Sequence, residues 1–258
     1  MSGSSTFVLA KNNESYLHSI AANLKLPLVS RLEELPVDAG FCLTLEEDVL
    51  CLTNLAADEK VVINVNFSSG SSIHRRLQGG GKNQALGKAI GLNKVPDPYV
   101  LDAAAGLGKD AFVMVSLGCT VKMVERSPIV GALLQDGLIR GSEDADIAPL
   151  VNNMSLVVAD SVEYMQSKSL LQDPPDIVYL DPMYPERKKS AKVKKEMQTL
   201  QHLLGHGDDF QLLLDAALAC ATKRVVVKRP KGAGPLSARA PTHTIESKKT
   251  RFDIYMSF

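Results

Sequence analysis

From Tyr99 onward, short apolar runs alternate with segments of helical spacing, and this alternation limits the possible folds more than any other feature of the chain. Continuous apolar strands separated by helices are typical of a parallel sheet that is covered by helices on both faces. We therefore predict a doubly wound, Rossmann-like α/β domain. The predicted strands are 99–104, 120–125, 156–160, 176–181, 224–229 and 251–256, and the predicted helices are 109–117, 127–142, 162–171, 191–204 and 210–221.

The chain before Tyr99 has a different pattern and is predicted to form a smaller unit. Strand-like runs at 6–9, 40–54 and 60–67 surround a helical segment at 14–24, and the acidic residues 46–48 predict a hairpin turn. A basic, glycine-rich linker with a short helix follows, and Pro96 and Pro98 mark its end. We expect an α+β subdomain at 1–70, the linker at 71–96 and the main domain at 97–258.

Composition excludes several classes of protein. With 258 residues, 45% of them hydrophobic and 22% charged, the chain can bury a full core, which excludes disorder, collagen and coiled coil. The four cysteines lie far apart without a CxxC pair, so we expect a reducing compartment and neither a disulfide framework nor a zinc cluster. No signal peptide and no apolar stretch long enough for a membrane span is evident, so we expect a cytoplasmic protein with no membrane partner.

A metal site is also not expected. His202 and His206 have a spacing that can bind a metal on a helix, but Gly205 lies between them and no third ligand is near in sequence. A surface or capping role is the simpler interpretation.

The net charge of zero conceals a strong asymmetry. Residues 1–181 contain 14 basic and 22 acidic residues, whereas residues 182–258 contain 15 basic and 7 acidic residues. Basic residues cluster at 186–195 and 223–231, and a smaller group at Arg75, Arg76 and Lys82 lies in the linker. This pattern predicts a nucleic-acid surface, although solvated helix faces and strand ends would also carry such charges.

A glycine-rich turn follows the first strand of the main domain, and ligands of such folds bind where this turn lies. Gly106 and Gly108 allow a tight turn and a close approach of the backbone to a ligand. The spacing fits a dinucleotide pyrophosphate, the methionine part of S-adenosylmethionine, or a purely structural turn. Asp102 and Asp110 favour the second interpretation, because carboxylates attract a sulfonium and an ammonium and repel a pyrophosphate.

Polar residues also end the next two strands. Glu125, followed by Arg126, could accept hydrogen bonds from a ribose diol, and Asp160 with Ser161 could bind an adenine edge. The alternative for Asp160 and Ser161 is a helix cap. Their order at successive strand ends predicts an adenosine site.

The most specific motif is Asp181-Pro182-Met183-Tyr184 at the end of the fourth strand. It resembles the D-P-P-Y signature of methyltransferases that modify exocyclic amines of bases. The Asp181 carboxylate and the Pro182 carbonyl can accept the two N–H hydrogens of such an amine and direct its lone pair outward. Tyr184 can stack on an extruded base. We predict Asp181, Pro182 and Tyr184 as catalytic residues.

The segments 74–91, 181–197, 223–230 and 251–255 together resemble the ribosomal RNA small subunit methyltransferase J family. The resemblance implies a class I S-adenosylmethionine-dependent methyltransferase fold and methylation of guanosine N2 in 16S rRNA. It places cofactor contacts at Lys109, Asp110, Glu125, Arg126, Asp160, Ser161 and Asp181, beside the Asp102, Gly106 and Gly108 of the glycine turn.

The implied partner is 16S rRNA or the 30S subunit, and no obligate protein partner is evident. Basic side chains near the motif would bind phosphates flanking the target base. The predicted RNA-binding residues are Arg75, Arg76, Arg187, Lys188, Lys189, Lys192, Lys228 and Arg229.

Three other interpretations remain open from the residues alone. The motif recognises an amine, so adenine N6 or cytosine N4 in DNA or another RNA would fit it equally well. A NAD-dependent oxidoreductase could use the glycine turn. An RNA-binding module that holds the cofactor without turnover is the third, although an intact Asp181–Tyr184 motif argues against it.

Overall fold

Two β-sheets and eight α-helices organise the part of the chain that the computed structural model describes, which is residues 5–10, 14–56, 61–69, 81–182, 195, 198–200, 203, 210–234 and 237–257. The smaller sheet contains β1 (Ser5–Leu9), β2 (Leu28–Val29), β3 (Ala39–Glu46), β4 (Val49–Asn54) and β5 (Val61–Ile63). The larger sheet contains β6 (Tyr99–Asp102), β7 (Thr120–Glu125), β8 (Met154–Val158), β9 (Ile177–Leu180), β10 (Arg224–Pro230), β11 (His243–Glu246) and β12 (Thr250–Met256). The helices are α1 (Ser15–Leu24), α2 (Ala85–Ile90), α3 (Lys109–Ser116), α4 (Pro128–Glu143), α5 (Ala148–Val151), α6 (Ser161–Met165), α7 (Lys168–Gln172) and α8 (Phe210–Cys220).

The larger sheet is doubly wound, as the sequence predicts. Its strand order is β11-β12-β10-β9-β6-β7-β8, so the chain leaves β6 toward β7 on one side and later returns to place β9 on the other. The crevice between the carboxyl ends of β6 and β9 is therefore the switch point at which such sheets bind ligands. The residues of β6 and β9 are almost all buried, as expected for strands covered on both faces of the sheet.

Three details differ from the predictions. Strand β12 runs antiparallel to β10, and β11, which the sequence analysis missed, pairs with β12 at the edge of the sheet. The predicted helix 162–171 is two helices, α6 and α7, because the Ser167 hydroxyl caps a new helix by accepting from the Leu170 N–H. Most of the predicted helix 191–204 lies outside the described residues.

The predicted hairpin turn joins β3 to β4. Glu47 and Asp48 have φ values of 51° and 61°, the left-handed conformation that two-residue hairpin turns require. The strands beside it are buried, so the acidic turn is the exposed end of an apolar hairpin.

The smaller sheet packs against α4 through one buried carboxylate. Asp136 of α4 accepts hydrogen bonds from the Leu50 N–H and the Tyr16 hydroxyl, both at 3.3 Å, and forms an ion pair with Arg140 at 2.7 Å. Burial, with Asp136 beside the hydroxyl, raises the pKa of Tyr16 to about 12. One apolar core includes residues of both sheets, and the boundaries at 70 and 96 stay a prediction.

Two further features of the described residues concern membrane spans and cysteines. None of the helices in the described ranges is long and apolar enough to span a membrane. Cys42, Cys51, Cys119 and Cys220 are all buried free thiols.

Helix α4 contains three glycines, which lower helix stability by up to about 1 kcal/mol each relative to alanine. Each one faces a close neighbour. A Cβ on Gly131 would lie 2.6 Å from Val158, one on Gly137 would lie 2.4 Å from Val65, and one on Gly141 would lie 2.9 Å from Val151. The glycines therefore let α4 approach β8, the segment after β5, and α5 closely.

We expect Gly137→Ala to destabilise the protein by about 1–3 kcal/mol, because overpacking against Val65 exceeds the gain in helix propensity. The Val65 carbonyl oxygen would also lie only 3.2 Å from the new Cβ, so the backbone must shift. Urea unfolding of the variant and its parent measures the change. Gly234→Ala is the control, since no atom lies within 4 Å of that Cβ; equal stability of both variants would contradict this packing argument.

Candidate active site

Carboxylates lie at the ends of successive strands along one edge of the larger sheet. Asp102 ends β6, Glu125 ends β7, Asp160 follows β8, and Asp181 follows β9. Because parallel strands all present their carboxyl ends at the same edge, the fold brings these four acids together. The order of these acids along the sequence predicts this arrangement.

The glycine turn connects β6 to α3 and has the backbone conformation that its glycines permit. Gly106 and Gly108 have φ values of +52° and +68°. A Cβ on Gly108 would also lie 2.8 Å from Leu134, whereas one on Gly106 would meet no atom within 4 Å. The Gly106 N–H donates to Glu125 Oε2 at 2.9 Å, which ties the turn to the end of β7. Gly106 thus leaves open space beside the turn, as a bound ligand requires.

A half-buried ion-pair network joins this turn to the predicted catalytic motif. The Lys228 ammonium, in β10 just past the pairing of β10 with β9, lies 2.6 Å from Asp110 Oδ2 and 2.7 Å from Asp181 Oδ2. The Tyr179 hydroxyl, fully buried in β9, donates to the same Asp110 oxygen at 2.7 Å. One lysine therefore links the first turn of α3 to the end of β9.

The network determines the protonation of its members. Burial alone would lower the pKa of Lys228, but Asp110 and Asp181 together raise it, so the ammonium stays charged. Burial, Asp110 and Asp181 raise the pKa of Tyr179 well above its usual value, so its hydroxyl stays a donor. Burial also raises the pKa of Asp181, an effect that Asp110 strengthens and Lys228 opposes.

Asp102 is the most perturbed acid of the site. Its side chain is almost completely buried, and its one recorded hydrogen bond within the described residues comes from the Ala104 N–H at 3.3 Å. Burial, followed by repulsion from Asp110, raises its pKa to about 8. The carboxyl group therefore keeps its proton at neutral pH until a positive charge arrives nearby.

Glu125 is occupied by the backbone on both oxygens. Oε1 accepts from the Ser127 N–H at 2.8 Å, and Oε2 accepts from Gly106. Burial raises its pKa, and these two N–H groups oppose the rise. Each carboxylate oxygen can accept a second hydrogen bond, so ribose binding by Glu125 stays a prediction.

Asp160 and Ser161 have the capping geometry that the sequence analysis gave as an alternative. Asp160 Oδ1 accepts from the Val162 and Glu163 N–H groups at the start of α6. The Ser161 hydroxyl donates to the Ala103 carbonyl at 2.7 Å, so it faces the end of β6. Capping and adenine binding are compatible, and binding of adenine by these residues stays a prediction.

The remaining predicted cofactor residues lie at the same edge. Lys109 is the first residue of α3 and is exposed, and Arg126 directly follows β7 and is half-buried. Their proposed contacts with the cofactor stay predictions.

The prediction that Lys228 and Arg229 bind RNA phosphates needs correction. Lys228 lies between Asp110 and Asp181, as described above. The Arg229 side chain is only 4% exposed, lies 3.1 Å from Asp253 and donates to the Gly234 carbonyl. Both cations thus have partners inside the protein. Several predicted site residues lie outside the described residues, namely Tyr184, Arg75, Arg76, Arg187, Lys188, Lys189 and Lys192.

Sequence reasoning missed the role of Tyr179 and the pairing of Lys228. Tyr179 precedes Asp181 by two residues, so both side chains lie on one face of the strand. Lys228 follows the apolar residues 225–227 within β10, and the pairing of Val227 with Leu180 shows that it lies beside Asp181. The spacing of Tyr179 and Asp181 in the sequence could have indicated the role of the tyrosine. The position of Lys228 could be found only from the order of the strands in the sheet.

The residues present fit S-adenosylmethionine better than a dinucleotide. Among the described residues, the crevice holds the carboxyl groups of Asp102, Asp110 and Asp181, and the Lys228 ammonium pairs with two of them. This negative excess favours a ligand that carries a sulfonium and an ammonium and disfavours a pyrophosphate.

Comparison with known proteins agrees with this interpretation. A family model described as "Putative SAM-dependent methyltransferase" matches residues 27–257. The ribosomal RNA small subunit methyltransferase J of Pseudomonas fluorescens (strain Pf0-1) is 46% identical over 94% of this chain and 90% of its own length. That of Shewanella amazonensis is 50% identical over 85% of this chain and 88% of its own length. A crystal structure of a SAM-dependent methyltransferase from Neisseria gonorrhoeae is 34% identical, covers 98% of this chain and 96% of its own, and has a TM-score of 0.75.

Fold and site thus define a class I methyltransferase that uses S-adenosylmethionine as its cofactor. The two curated relatives share most of their length with this chain. The chain belongs to the ribosomal RNA small subunit methyltransferase J family, which confirms the resemblance found in the sequence.

We expect Asp102→Asn to stabilise the free protein by about 3–5 kcal/mol at pH 8 and to have little effect near pH 4. The folded state raises the pKa of Asp102 from 3.8 to about 8, so the parent protein loses stability as the pH rises through this range. Asparagine removes that loss and can still accept from Ala104. Urea unfolding from pH 4 to 8.5 measures the difference.

Asp176→Asn is the matched control with the opposite sign. Burial opposes ionisation of Asp176, but Lys223 and the Tyr99 N–H lower its pKa, so its carboxylate contributes stability above pH 4. This control should be less stable than the parent at neutral pH. Parallel pH profiles of stability for the parent and for Asp102→Asn would contradict the raised pKa of Asp102.

Proposed function

We propose that this protein transfers a methyl group from S-adenosylmethionine to the exocyclic N2 amine of a guanosine in small-subunit ribosomal RNA. The observation that carries the proposal is the position of Asp181, at the carboxyl end of the strand that pairs with β6 and beside the glycine turn. The names of the curated relatives support the RNA substrate.

An exocyclic amine needs help to react because its lone pair is delocalised into the ring. Asp181 has a side chain that is 36% exposed, and among the described residues its recorded partner is Lys228 on Oδ2. Oδ1 can accept one N–H of the base, and the Pro182 carbonyl can accept the other. These acceptors favour a pyramidal nitrogen whose lone pair points toward the cofactor site.

The reaction needs no strong base. S-adenosylmethionine supplies a methyl group on a positively charged sulfur, and the sulfur keeps the bonding electron pair. The nitrogen forms the new N–C bond and becomes acidic as it does so. Its surplus proton passes to the Asp181 carboxylate or to solvent, which balances the charge.

Lys228 acts on the base through Asp181. Its ammonium holds Asp181 Oδ2 and opposes the rise that burial causes in the pKa of this carboxyl group. The ion pair therefore favours the ionised form of the acceptor and fixes its orientation. Lys228 is a positioning residue in this mechanism.

We expect Asp181→Ala to lower kcat by a factor of about 10²–10³ or more, because the amine loses its charged acceptor. The assay follows labelled methyl transfer to 30S subunits from a strain that lacks this enzyme, with mapping of the methylated base. Asp215→Asn, on the exposed face of α8, is the matched control and should keep the parent rate.

Two results would count against the proposal in different ways. A folded Asp181→Ala variant with near-parent turnover would remove the mechanism. If the labelled methyl group is found on adenine N6 or cytosine N4 instead of guanine N2, the proposed mechanism still holds, but the proposed substrate is wrong.

We expect Lys228→Met to move the acidic limb of the kcat/KM profile to higher pH by about one unit, because the pKa of Asp181 rises without its cation. Lys228→Arg keeps the charge and should keep the limb near its parent position. A uniform loss of rate in Lys228→Met without any movement of the limb would assign the lysine a purely structural role.

A further inference from the structure

A surface of exposed lysines lies at the same edge of the larger sheet as Asp181. We call it the basic rim and define it by Lys231, Lys248 and Lys249. Strand β10 runs parallel to β9 with Val227 opposite Leu180, so Lys231 lies beyond the carboxyl end of β9. The Lys231 N–H donates to the Lys249 carbonyl at 3.0 Å, which places the turn between β11 and β12 beside it.

The lysines of the basic rim are available to a ligand. Lys248 and Lys249 are exposed, and neither forms an ion pair with another residue in the described ranges. Lys231 pairs with Glu246 at 2.9 Å, but both side chains are about half exposed, and such surface pairs are weak and easily screened.

The surroundings of the basic rim strengthen its positive charge. Segments 228–234 and 247–252 contain six basic residues and no acidic residue. Beneath the rim, Arg229 and Arg251 share the single carboxylate of Asp253. Against their carboxylate partners Asp110, Asp181, Glu246 and Asp253, these six cations leave an excess of two positive charges at this edge.

The chemistry of the basic rim suits phosphates better than a protein surface. None of the large apolar side chains that are exposed in the described residues lies in 228–234 or 247–252. Protein interfaces have an apolar or aromatic centre and are depleted in lysine, whereas lysine contacts to phosphates dominate binding to nucleic acid.

We propose that the basic rim binds backbone phosphates of the RNA strand whose target base enters at Asp181. Neighbouring strands are about 4.8 Å apart, so β12 and β11 lie about 10–15 Å from β9. A stacked strand covers this distance in about three or four nucleotides at about 3.4 Å each. The proposal rests on the proposed function and names the surface that holds the substrate.

The test is a double variant, Lys248→Ala with Lys249→Ala, in the full-length protein. Binding to 30S subunits and to protein-free 16S rRNA is measured by filter retention at several KCl concentrations. Losing two phosphate contacts should reduce the slope of log K against log salt by about 1.4–1.8. We expect about a tenfold weaker affinity and a tenfold higher KM for RNA, with kcat within about twofold and S-adenosylmethionine affinity unchanged.

The control removes two exposed lysines elsewhere. Lys94 precedes the amino end of β6, and Lys168 starts α7. The variant Lys94→Ala with Lys168→Ala has the same charge change and should bind RNA with the parent slope. An equal loss of slope in both variants would make the effect one of net charge and overturn the assignment.

Failure of this inference is distinct from failure of the proposed function. If the parent methylates 30S subunits and the rim variant binds RNA with unchanged affinity and slope, then the basic rim does not bind RNA phosphates. The proposed function is unaffected by that result. If the parent transfers no methyl group but the rim variant still loses the predicted slope, the function is wrong and the rim stands. A weaker affinity with an unchanged slope would exclude a phosphate contact and overturn the proposal.

Discussion

The position of one ammonium group between two carboxylates determines most of the properties of this site. Lys228 lies within 2.7 Å of both Asp110 and Asp181, which come from different parts of the chain. It holds the glycine turn and the catalytic motif in a fixed relation, and its charge opposes the rise that burial causes in the pKa of Asp181. Asp102 forms no ion pair with another described residue, and burial raises its pKa to about 8. The site thus has a negative excess that a cationic cofactor can neutralise.

The fold creates this arrangement through strand order. Because β9 lies between β6 and β10, the residues that follow all three strands meet at the switch point of the sheet. The antiparallel β12 then extends the sheet beyond β10 and brings the turn at 247–249 to the same edge. Cofactor, base and the proposed phosphate contacts are therefore arranged along one edge, in the order of the strands.

The sequence predicted the parts of the molecule that depend on local pattern. The apolar runs identified six strands, and Gly106, Gly108 and Asp181 were recognised because each motif is contiguous. Pairing between distant segments could not be read in the same way. Lys228 was taken for an RNA contact since its partners, Asp110 and Asp181, are 118 and 47 residues away. Strand β11 was missed because it is short and mostly exposed, so it has no apolar run.

The most direct test of the central claim is calorimetry of cofactor binding at pH 7 in buffers with different ionisation enthalpies. S-adenosylmethionine carries a positive sulfur, whereas its demethylated product S-adenosylhomocysteine does not. The negative excess predicts that S-adenosylmethionine releases close to one proton from Asp102 on binding, and that the product releases clearly less. Equal proton release by both ligands, or none by either, would contradict the claim that unpaired carboxyl groups recognise the charge of the cofactor.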